Sequence, residues 1–204
     1  MSAATPPRAW QRMLSGRRLD LLAPSPDDIA IADVAHGLAR VARWNGQTLG
    51  AHVFSVAQHS LLVERVFAIG SPDAPAAERL AALLHDAAEY VVGDLISPFK
   101  AALGNDYKAV EHRVLGAIQA RFGIAAAAAA AAEIIKRADQ AVARMEATAL
   151  AGFADDEATA FFGPPFSAAP LEADALEPWP ADRAQSAFLA RFAALSKSNV
   201  IERR

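Results

Sequence analysis

The 204-residue chain contains no cysteine. That excludes disulfides, thiolate metal sites, iron–sulfur clusters and cysteine nucleophiles. Aromatic residues make up only 7% of the chain, which disfavours a β-sandwich. Charge of one sign is scarce too, with 20 Lys and Arg against 23 Asp and Glu and a formal net charge of -3. No basic excess draws the surface toward nucleic acid as a main partner or toward anionic lipid. A small anionic ligand stays open, because a pocket needs only one local cation or metal. No uninterrupted apolar run reaches the roughly 20 residues of a membrane span, and the first residues lack the apolar segment of a signal peptide. The expectation is a soluble, cytoplasmic protein without membrane contact. Its chemistry must come from histidines, carboxylates or hydroxyls.

Alanine is what the chain has in excess, with 51 residues in a composition that is 53% hydrophobic. Alanine is the strongest helix former and its side chain lets helices approach closely, so an all-α single domain is expected. Apolar positions recur at helical spacing over residues 29–43, 53–67, 75–90, 107–122, 126–150 and 181–195. Residues 1–28, rich in Pro, Arg and Asp, read as an N-terminal arm or short hairpin. Residues 29–153 read as the helical core, and 154–204 as a C-terminal wrapping segment and helix of the same domain. The GDLISPF stretch reads as a connector, with Pro98 limiting any incoming helix.

Within these helices a few polar residues stand among small apolar ones. His85 and Asp86 interrupt AALLHDAAEY. Adjacent side chains on a helix point about 100° apart and can converge on one ion, though a surface dipeptide gives the same pair. His59 lies in FSVAQHSLLVERV and Asp139 in EIIKRADQAVARM, where a buried Asp is costly unless paired or coordinated. Glu89 follows Asp86 by three positions and His85 by four, so on a continuous helix it shares their face. A solvent-facing Glu is the plain alternative. Arg43 and Trp44 stand about fifteen positions before His59. They read either as a phosphate grip beside an aromatic wall or as a solvated Arg and a core Trp. No P-loop, dinucleotide fingerprint or HExxH motif is present.

The ordered set His59, His85–Asp86 and Asp139 resembles the H…HD…D signature of HD-domain metal-dependent phosphohydrolases. Over roughly residues 33–150 the chain looks most like bacterial 5'-deoxynucleotidases and the small bacterial and phage deoxynucleoside triphosphate hydrolases. The resemblance implies one divalent metal in a helical bundle, ligated by His59, His85, Asp86 and Asp139. Mn, Co, Fe, Ni or Zn suits such donors, and Mg is a further candidate. It also implies that Arg43 grips a phosphate, that Trp44 shapes a deoxyribose pocket and that Asp94 holds the sugar 3'-hydroxyl. Asp86 and Glu89 would then join Arg43 as catalytic groups. Lys100 and Lys108 are candidate phosphate contacts, each also readable as a surface lysine. The implied activity is release of phosphate from a deoxynucleoside monophosphate. Two alternatives stand beside it: release of triphosphate from a dNTP, a dATP-like one among the candidates, with Arg12, Arg17 and Arg18 near the extra phosphates; and a catalytically inactive nucleotide-binding regulator. A homodimer is implied as well.

Overall fold

The computed structural model describes residues 8–103, 105–165 and 174–202. Over that span the protein is all-α, apart from one short N-terminal hairpin. Strands β1 (Trp10–Arg12) and β2 (Arg18–Asp20) pair antiparallel, Gln11 opposite Leu19. The hairpin is latched to the body by Asp33, whose carboxylate accepts from the Ser15 amide at 3.0 Å and from its hydroxyl. Leu19, fully buried, is its apolar anchor.

The central helix is α2 (Val56–Gly70), capped by Ser55, whose hydroxyl accepts from the Gln58 amide. Its residues are buried on nearly every side, from Val56 and Ala57 to Val66 and Phe67. Around it pack α3 (Ala76–Leu83), α7 (Ala125–Ala149) and α9 (Ala181–Glu202). Buried alanines at the contacts, Ala57, Ala82, Ala138 and Ala184 among them, keep these axes close. Helix α1 (Ile31–Leu38) lies against α9 and against the single turn α4 (Glu89–Val92). Gly37 makes the latter approach possible. A Cβ there would stand 2.6 Å from the Tyr90 carbonyl oxygen. Helices α5 (Ser97–Leu103), α6 (Asn105–Phe122) and α8 (Asp155–Phe162) complete the described bundle.

Three local expectations need correction. The segment 75–90 is not one helix: α3 ends at Leu83, turns cover 84–88, and α4 begins at Glu89. In the break the bonds run three residues back, from the Ala87 amide to the Leu84 carbonyl and from Glu89 to Asp86. The helix expected over 29–43 stops at Leu38, and Arg43–Gly46 form a separate short 3-10 turn. The connector around Pro98 contains α5, with Pro98 in its first turn, where a missing amide donor costs nothing. No described helix is long and apolar enough to cross a membrane.

Candidate metal centre

His59, His85, Asp86 and Asp139 come from three parts of the chain and meet at one point. Each offers one ligand atom, and all four atoms lie within 4.8 Å of one another. His59 Nε2 stands 3.1 Å from Asp139 Oδ1 and 3.5 Å from Asp86 Oδ2. His85 Nε2 stands 3.1 Å from Asp86 Oδ2 and 3.9 Å from Asp139 Oδ1. Despite these approaches neither buried Nε2 atom has a hydrogen-bond partner among the described residues. The donors aim at a shared point rather than at each other. Ligands bound at about 2.1 Å to a single cation stand roughly 3.0–3.5 Å apart when adjacent and about 4.2 Å apart when opposite, so separations of 3.1 to 3.9 Å suit one divalent transition-metal ion. Two neutral imidazoles and two carboxylates also balance its charge.

The backbone break explains how the HD pair serves this point. In a regular helix the Ala82 carbonyl would bond the Asp86 amide. Instead it bonds the His85 amide at 3.5 Å and faces His85 Nδ1 at 3.0 Å. A proton on Nδ1 then leaves the Nε2 lone pair free to ligate. His59 is oriented in the same way from the other side, its Nδ1 lying 2.6 Å from Glu146 Oε1.

Electrostatics follow from burial and crowding. Burial and the Arg43 guanidinium press the His59 pKa down, but Glu146, Asp139 and Asp86 outweigh them and hold it well above the usual range. His85 is opposed by burial and raised by Asp86 and Asp139, to about 9. Burial would raise both aspartates, yet the histidines hold Asp86 and Asp139 below the usual carboxylate range. A cation at this point competes with protons for the same nitrogens.

The centre opens into a cavity of about 630 Å³. Arg43, Trp44, Glu89, Asp94 and Lys100 line it with Asp86 and Asp139, and Phe153, Phe161 and Phe162 form an aromatic wall. Glu89 is 2% exposed; one oxygen faces Lys100 Nζ at 3.4 Å and the other has no partner among the described residues. Burial first, then Asp86 and Asp94, push its carboxyl up to about 9. Arg43 donates from Nη1 to Asp94 at 2.9 Å and from Nε to Glu146 at 3.1 Å. Those bonds use two of its five N–H donors.

No family model matches the chain. It is 57% identical over 159 residues to an uncharacterized protein of Rhodobacter capsulatus, covering 78% of this chain and 81% of that protein. The chain belongs to the family of that Rhodobacter protein.

The structure brings together nine of the ten candidate site residues: the four of the cluster, and Arg43, Trp44, Glu89, Asp94 and Lys100 around the cavity. Lys108 is the tenth: it is exposed on α6 and does not line the cavity. Lys100 lines it but is also engaged by Glu89 and by Glu111 at 3.5 Å. Arg17 donates to the Asp27 and Ile29 carbonyls, while Arg12 and Arg18 stack on Trp10 in the hairpin, so none of the three lines the cavity. His52 and His112 are exposed. One central residue escaped the sequence reading. Glu146, fully buried, accepts from His59, from Arg43 and, at 2.9 Å, from the Trp44 indole. Its signal was spacing: it lies seven positions after Asp139, two turns along the same face of α7.

Proposed function

We propose that the protein is an HD-type metal-dependent phosphohydrolase acting on 2'-deoxynucleotides, with a deoxynucleoside monophosphate as the favoured substrate. One observation carries this reading: the two-histidine, two-aspartate cluster opens into the same cavity as Arg43, Trp44 and a buried Glu89. A divalent ion held by His59, His85, Asp86 and Asp139 would supply Lewis acidity toward water and a phosphate oxygen. The remaining work falls to the chain. Arg43, held from behind by Glu146 and Asp94, presents its other N–H donors to the phosphate. Glu89, within the cavity and shielded from solvent, exchanges a proton with water or with the leaving 5'-oxygen. Trp44 packs on Phe153 and Phe162 at centroid separations of 5.5 and 5.8 Å, forming a rigid wall against which a ribose 2'-hydroxyl would lose space.

The charge balance supports a monoester over a triphosphate. Arg43 and Lys100 are the lining cations, and both are already paired; Asp86, Glu89, Asp94 and Asp139 are lining acids. Two more phosphates would bring extra negative charge to a cavity with no further lining cation among the described residues. The test is turnover with Mn²⁺, Co²⁺ or Zn²⁺ on deoxy- and ribonucleoside mono- and triphosphates, with products identified. Phosphate released from dNMPs in preference to NMPs is expected. Triphosphate released from dNTPs would replace the monophosphatase reading, and metal binding without turnover would make the protein a sensor.

A further inference from the structure

Glu146 sits behind the metal ligands and touches none of the space a substrate would occupy. Its two carboxylate oxygens meet three nitrogens: Oε1 lies 2.6 Å from His59 Nδ1, and Oε2 accepts from Arg43 Nε at 3.1 Å and from Trp44 Nε1 at 2.9 Å. The bond to His59 faces away from the metal point, so it decides which imidazole nitrogen carries the proton. The bond to Trp44 has a second consequence. Trp44 and Asn45 adopt left-handed backbone conformations, with φ of 56° and 52°. Such a conformation is unfavourable for residues other than glycine and persists only where surroundings hold it. The indole bond to Glu146 and the packing on Phe153 and Phe162 are those surroundings.

We propose that Glu146 is a positioning residue that locks His59 in its metal-ligating tautomer and holds Arg43 and the strained Trp44 turn, so that cation affinity and pocket shape depend on one carboxylate. The inference rests on the four-residue cluster being a metal centre. Arg43 Nε and Trp44 Nε1 are fixed donors, and an ionised carboxylate that accepts from both offers His59 Nδ1 an acceptor as well, so that the imidazole proton sits on Nδ1. A glutamine of the same shape cannot satisfy the set. If its amide N–H₂ faces His59, the imidazole proton moves to Nε2 and blocks the ligand lone pair. If its oxygen faces His59, the N–H₂ opposes the Arg43 and Trp44 donors.

The experiment uses the full-length chain and Zn²⁺ as the probe. Glu146→Gln is expected to bind Zn²⁺ about 10–100-fold more weakly than the wild type in competition with a chelator, and to shift tryptophan fluorescence as the Trp44 turn relaxes. A second measurement needs no variant: nitrogen-15 NMR of histidine in the Zn²⁺-loaded wild type should show His59 protonated at Nδ1 and ligating through Nε2. Zn²⁺ affinity within twofold of the wild type in a folded Glu146→Gln protein would overturn the proposal, as would an unprotonated His59 Nδ1. Wild-type protein that binds no Zn²⁺, Mn²⁺ or Co²⁺ would instead overturn the metal reading and the positioning role with it.

Discussion

Two buried carboxylate centres flank α2, and they differ in what remains unpaired. On one side Glu64, 3% exposed, lies beside a cavity of about 560 Å³ between α2, α3 and α9. Its Oε1 accepts from Arg79 Nε at 2.8 Å and Arg191 Nη2 at 2.7 Å, and its Oε2 from Arg191 Nε at 2.8 Å. Both oxygens are satisfied, and the result is a clamp joining three helices. On the other side the cavity is of similar size and also holds arginine and carboxylates. There His59 Nε2, His85 Nε2 and one Glu89 oxygen are buried without hydrogen-bond partners among the described residues. Cavity volume and buried charge therefore do not separate structure from chemistry here. Unpaired donor atoms aimed at one point do.

Breaking the ligand side should have the largest effect. Asp139→Ala is expected to lower metal affinity by on the order of a hundredfold or more, given that groups behind a metal ligand already contribute 10–100-fold. Calorimetric titration with Mn²⁺ or Zn²⁺ would check it, with circular dichroism showing the helices retained. Breaking the clamp should do the reverse. Glu64→Ala leaves two guanidiniums without their buried partner and should cost about 2–3 kcal/mol in urea unfolding, below the usual figure for a fully buried pair because Arg79 and Arg191 are each about one-third exposed. Its metal affinity should stay unchanged.

Gly37→Ala probes how the fold positions Glu89. The added methyl meets the Tyr90 carbonyl at 2.6 Å and must push α1 and α4 apart. A loss of about 1–3 kcal/mol is expected. Under the proposed function, turnover should fall more than metal affinity, because α4 begins with Glu89 while none of the four ligands lies on α1 or α4; equal losses in both would detach Glu89 from the chemistry. The smallest effect belongs to Lys108→Ala, expected to leave kcat/KM within about twofold because the side chain is exposed and lies off the cavity.

A pH series sharpens the same contrast. The His85 pKa is raised to about 9, against the crowding aspartates. The stability this lends the metal-free chain is fully present below an ordinary histidine value of about 6.5 and is lost as pH rises toward 9. Cation affinity should move oppositely, strengthening over that window as the protons leave. Titration in two buffers of different ionisation enthalpy would measure the protons released. Affinity independent of pH across the window would remove His85 from the ligand set.

Much of this could be read in the linear chain. Alanine excess and helical spacing implied an all-α bundle, and the long helix expected over 126–150 is α7 within one residue at each end. The four metal donors were visible as polar residues inside small, apolar helical stretches. The break at residues 84–88 was not, because AALLHDAAEY has the periodicity of one continuous helix. Tertiary packing overrides that propensity: Gly37 admits α4 against α1, and the Ala82 carbonyl turns to His85. Glu146 was equally hidden, since one acidic residue in AVARMEATAL reads as a helix-surface charge until His59, Arg43 and Trp44 arrive from elsewhere in the chain.

The division has a physical basis. Helical content and the chemical type of each donor are local properties, carried by backbone propensity and side-chain composition, and the amino-acid order determined them alone. Which carboxylates are buried, which imidazole nitrogen bears a proton and which atoms share one point depend on groups dozens of residues apart. Those features belong to the packed bundle, because only there does low solvent exposure force each polar atom to find a partner or leave it free for a ligand.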